Sequence, residues 1–149
     1  MPDTAEPRHF QIHVKDVPSA AVTAEDGWQS VDIRWMVGNE KAGSKAGSDE
    51  ICFWRTRFQP GAAHARHYHP NAAEAFFIIR GRGAAGTGDE EHEVLPGTAL
   101  YIPAGVVHWF RNAGDEELEL VGCYAPGGSL EDAGYVFVGD VTSEYRQVV

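Results

Sequence analysis

Apolar and polar positions alternate in short bursts along the chain, and no burst holds a 3.6-residue period over the twelve or so residues a helix needs. The bursts are rich in β-branched and aromatic residues and read as strands: Phe10–Val14, Val31–Val37, Ile51–Phe58, Glu74–Arg80, Ala99–Pro103, Val107–Arg111, Leu118–Tyr124 and Tyr135–Val138. Turn signals separate them at Pro60-Gly61, Gly81–Gly88, Pro96-Gly97, Asn112–Asp115 and Pro126–Gly128. Many short strands cut by tight turns predict an all-β sandwich or barrel with at most one or two short helices. Ser129–Ala133 is the helix candidate, with Ser129 as cap and Glu131 and Asp132 in the first turn. Lys41–Ser48, a tandem KAGSKAGS, reads as a mobile loop or an active-site lid.

The length of 149 residues and the mass of 16.3 kDa fit one folded domain over residues 10–149, preceded by a disordered tail at 1–9. The balance of 12 Lys+Arg against 22 Asp+Glu gives a net charge of −10, which repels phosphate backbones and anionic lipid. Nucleic acid and membranes are therefore not expected partners. The acid is concentrated at Asp89–Glu93 and Asp115–Glu119, read as solvated turns. Met1–His9 is polar and carries no apolar signal segment, so a cytoplasmic location is expected. Cys52 and Cys123 stand far apart in apolar surroundings and read as buried thiols.

The chemistry lies in the histidines, of which there are seven. His67 and His69 are two apart, so both project from one face of an extended segment. Pro70-Asn71 then breaks the strand, and Glu74 opens the next one close enough to return its carboxylate beside the two imidazoles. Neutral imidazoles and one carboxylate suit a divalent first-row ion. His108, in the apolar run Val106–Phe110, is the candidate for a fourth ligand.

The first of these segments reads G61-x5-H67-x-H69-x4-E74-x6-G81, and the second reads G97-x5-P103-x-G105-x2-H108-x3-N112. Together they resemble the two sequence motifs of the cupin superfamily, over a motif-bearing core of about residues 51–124. The resemblance implies an antiparallel jelly-roll β-barrel with one metal ion inside, held by His67, His69, Glu74 and His108. Fe, Mn, Ni, Co, Cu and Zn all suit three imidazoles and a carboxylate.

Strand parity extends the site. Phe76, Ile78 and Phe110 fall on the ligand face as an apolar pocket wall, while Phe77, Ile79 and Trp109 fall outside. A partner subunit would cover that outer set; the resemblance implies a homodimer, with Phe10–Val14 as an exchanged edge strand. In Ile51–Phe58, Cys52, Trp54, Thr56 and Phe58 look like the core face. Should the other parity face inward, Arg55 and Arg57 would line the pocket and bind an oxygen-rich substrate; otherwise they are solvated or pair with acidic neighbours. His64 lies on the parity opposite His67 and belongs to the rim unless a bulge intervenes, with acid–base catalysis as its sharper role. Glu74 is a ligand and, on swinging off, a base. These features imply a metal-dependent enzyme acting on a small, moderately hydrophobic, oxygen-bearing molecule, with dioxygenase chemistry slightly favoured. Lewis-acid cyclases, isomerases or lyases and a non-catalytic binding barrel are the alternatives.

Overall fold

The computed structural model describes residues 11–20, 28–142 and 146–148. The expected disordered tail and residue Phe10 lie outside that range. Eleven strands form one curled sheet: β1 (Trp28–Gly38), β2 (Ala46–Gly47), β3 (Cys52–Tyr68), β4 (Ala73–Arg80), β5 (Gly83–Thr87), β6 (Glu90–Val94), β7 (Ala99–Ile102), β8 (His108–Arg111), β9 (Leu118–Ala125), β10 (Val136–Gly139) and β11 (Arg146–Val148). Pairing is antiparallel except for β1 with β2 and β6 with β11. The hydrogen-bonded order β11-β6-β5-β8-β3-β9-β4-β7 makes a jelly-roll barrel. No described helix is long and apolar enough to cross a membrane.

Strand β3 explains how the barrel closes. Its first half pairs with β9, and its second half pairs with β8 and β10. The expected turn at Pro60-Gly61 is therefore a bend within one 17-residue strand, and the chain passes from one layer to the other without leaving the sheet. Cys52, Trp54, Thr56 and Phe58 alternate into the core. There they meet Phe76 and Ile78 of β4, Phe110 of β8 and Leu118, Leu120 and Tyr124 of β9. Each such apolar side chain contributes about 1.5–3 kcal/mol by leaving water.

Three expectations change. Gly81–Gly88 and Asp89–Glu93 are not merely turns, because Gly83–Val94 forms the β5–β6 hairpin. The small residues of β5 hid it: a Cβ on Gly86 would stand 1.8 Å from the Trp109 ring, so the strand is glycine-rich because tryptophan packs flat on it. Lys41–Ser48 is not a free loop. Glu40–Ala42 makes a 3-10 turn, and Ala46 is buried where β2 pairs with β1. The described part of Phe10–Val14 is no strand; residues 11–13 are irregular and Val14–Asp16 is a 3-10 turn held by the Arg34 guanidinium, which donates to the Val14 and Val17 carbonyls. The helix candidate does form, as α1 (Leu130–Ala133), with the Ser129 hydroxyl accepting from the Asp132 amide at 3.0 Å.

Candidate metal centre

Three strands bring four donors together. His67 and His69 point inward from the end of β3, Glu74 from β4 and His108 from β8, where His108 pairs directly with His67. All four are buried, between 2% and 7% exposed, and their ligand atoms lie within 4.8 Å of one another. Each imidazole turns its Nδ1 to a backbone carbonyl: His67 to Ala65 at 2.6 Å, His69 to Gly134 at 2.7 Å and His108 to Val106 at 2.9 Å. A carbonyl accepts only, so each Nδ1 carries the proton and each Nε2 presents a lone pair inward.

That tautomer decides what fits. The Glu74 Oε2 lies 2.8 Å from the His108 Nε2 and 3.2 Å from the His69 Nε2, which makes no hydrogen bond. A carboxylate facing imidazole lone pairs is repelled unless a cation sits among them. The donor set, its burial and its outward-facing protons fit a divalent metal ion. Burial pushes the Glu74 carboxyl up, but the neighbouring His108 and His69 imidazoles outweigh it and hold the group well below the usual carboxylate range. Burial, reinforced by neighbouring imidazoles, drives His67 well below the ordinary histidine value, so it is neutral and able to ligate. Without a cation only a proton on Nε2 relieves that repulsion, and accordingly the pull of Glu74 overcomes burial and raises the His108 value.

Beside the donors lies a cavity of about 30 Å³, walled by Ile33, Phe58, Phe76, Phe110, Leu120 and Tyr124 among others. Phe76 and Phe110 are where parity placed them, in edge-to-face contact at 5.4 Å. Ile78 is buried but does not line the cavity, because it sits one layer further along β4 opposite Leu120. Phe77 and Ile79 face outward as expected.

Three placements are corrected. Arg55 and Arg57 do not enter the cavity. The opposite parity of β3 holds the core, so both lie on the outer face, Arg55 on Glu119 and Arg57 on Asp32. His64 is not a rim residue. A register shift between His64 and His67 against β8 adds one residue to β3, which reverses its parity and buries His64 in the cavity wall. Its ring stacks on His67 at 3.9 Å, and burial keeps it neutral. Trp109 points outward from the barrel interior, yet it is covered by its own chain: its Nε1 donates to Glu91 at 2.9 Å. Glu91, inside the cluster read as a solvated turn, is fully buried and also accepts from Arg111.

Sequence reasoning missed two aromatic neighbours. Tyr124 lies 4.7 Å from His69, ring centre to ring centre, and continues the inward alternation Leu118, Leu120, Gly122. Tyr135 stacks on His64 and His67 at 5.7 Å and 5.0 Å. Nothing local marks Tyr135, since only the pairing of β10 with β3 brings it there.

A jelly-roll barrel with three inward imidazoles and one carboxylate on these strands defines a cupin. The comparisons agree: a family model described as the cupin domain matches residues 54–124, and the chain belongs to that family. Protein SchB of Streptomyces halstedii is 32% identical over 105 residues, covering 70% of this chain and 73% of SchB. Polyketide synthase CurC of Streptomyces cyaneus is 29% identical over 105 residues, covering 70% of this chain and 66% of CurC. The solved structure of the polyketide cyclase RemF from Streptomyces resistomycificus shares the fold with a TM-score of 0.68 at 17% identity, covering 90% of this chain and 87% of that one.

Proposed function

We propose that the protein is a metal-dependent cyclase that closes a ring in an oxygen-rich, polyketide-like substrate, without redox change. The observation that carries this reading is the buried set of His67, His69, Glu74 and His108 opening onto an aromatic and aliphatic wall. The names of CurC and RemF support the substrate class. Bound at these four residues, a divalent ion would supply Lewis acidity toward ketone or enolate oxygens. The chain's own groups supply the rest. Phe76 and Phe110 exclude water from the donors. Glu74, on swinging off the ligand set, is the carboxylate placed to take the α-proton of a β-diketone unit. His64, neutral in the cavity wall, is placed to hydrogen-bond a substrate oxygen. Ring closure then forms a C–C bond between the enolised carbon and a ketone carbon, and dehydration releases one water.

The test is anaerobic turnover of a phenyl-substituted linear triketone by zinc-loaded protein, followed by its ultraviolet spectrum and mass. Cyclised product lighter by one water, formed without oxygen, supports the reading. Turnover that needs a redox metal and consumes dioxygen would assign the site to the dioxygenase alternative instead. Metal binding with no turnover in either regime would reduce it to a binding barrel.

A further inference from the structure

The cavity beside the metal ligands has room for about two waters, whereas an aromatic or polyketide body needs a few hundred Å³. The barrel has that space elsewhere. Strand β7 is bonded to β4 and ends its layer, and β5, β6 and β8 belong to the facing layer. Between them runs a groove of about 300 Å³ lined by Thr87, His92, Tyr101 and Trp109. Two further wall residues, Phe76 and His108, are shared with the inner cavity. The groove therefore adjoins the metal ligands through a thin partition. Its floor also follows from register: Ile102 of the groove pairs with Glu74, and Thr87 pairs with His108. One donor, His108, thus lines the groove, and a second, Glu74, lies one strand pairing behind its wall on the opposite layer.

We infer that this lateral groove binds the carbon body of the substrate, a planar aromatic or conjugated molecule whose paired oxygens reach the metal past Phe76. Tyr101 offers a ring face, while the Thr87 hydroxyl and the His92 imidazole offer hydrogen bonds to peripheral oxygens. Phe76 is the partition that must turn aside, because His108 is held as a ligand. The inference rests on the open metal centre proposed above and adds where the ligand's bulk lies.

The experiment uses the full chain loaded with cobalt(II), titrated with azide and with benzoylacetone, a phenyl-substituted β-diketone, while the visible cobalt bands are followed. Thr87→Trp fills the groove from β5, and His92→Trp narrows it from β6 should the first variant lose its fold. The expected result is a loss of benzoylacetone affinity of about tenfold or more, with cobalt content and azide affinity kept. Benzoylacetone binding equally well to wild type and to a folded, cobalt-loaded groove variant overturns the groove and leaves the open metal centre standing. A wild-type protein whose cobalt bands respond to neither azide nor benzoylacetone overturns the open centre, and the groove with it.

Discussion

Asp132 shows how much one partly buried carboxylate organises. It accepts from the Asn39 amide, the Lys41 ammonium and the Gly128 backbone amide, tying the turn after β1 to the segment before α1. The Lys41 hydrogen bond, then the Gly128 amide and Asn39, hold its carboxyl down at about 2, against an ordinary 3.8. A depressed carboxyl stabilises the fold above its unfolded value, and that contribution disappears as the pH falls through the folded value. Asp132→Asn should therefore melt below wild type at pH 7. The gap should close as the pH is lowered from about 4 towards about 2, because wild type loses the ionised group there. A gap independent of pH in paired melting curves would show that the ion pair contributes nothing. At this same scale the four ligands were legible, because a period of two and a fixed motif spacing depend only on local geometry. The placement of Arg55 and Arg57 was legible only as an alternative, settled by which parity of β3 packs into the core.

At the scale of elements, the segment running from α1 into β10 completes the metal centre although it lies outside both motifs. The Gly134 carbonyl accepts from the His69 Nδ1, and Tyr135 lies against His64 and His67. Gly134 has φ +78, and a Cβ there would stand 2.7 Å from the Pro70 ring. Gly134→Ala should shift the carbonyl and weaken zinc binding by about 10–100-fold, as loss of an outer partner of a ligating histidine does. Chelator competition with wild type alongside checks it, and unchanged affinity would show that His69 is oriented without this carbonyl. None of this was readable locally. The bulge that turns His64 inward comes from pairing with β8, the burial of Glu91 from a tryptophan two strands away across β5, and the β5–β6 hairpin is disguised by glycines that make room for that ring. The strands with β-branched and aromatic runs were legible. Those defined by what packs on them were not.

For the whole molecule, the outer face of β4 carries Phe77 and Ile79, exposed by 44% and 45%. Trp109, expected to join that set, is covered by its own chain, which leaves Phe77 and Ile79 as its exposed part. We propose that a second copy covers it. Sedimentation should then give twice the 16.3 kDa of one chain, and Phe77→Lys with Ile79→Lys should return the species to one chain while leaving metal content unchanged. A wild-type protein that sediments as one chain at micromolar concentration contradicts the dimer.

The metal centre stands under every functional statement, and elemental analysis tests it most directly. Wild-type protein, after reconstitution and removal of loose ions, is measured beside the His67→Ala/His108→Ala double variant. The arrangement of three imidazole lone pairs around the Glu74 carboxylate predicts about one divalent ion per wild-type chain and almost none in the folded double variant. An ion retained by the variant, or absent from reconstituted wild type, would contradict the four-ligand centre.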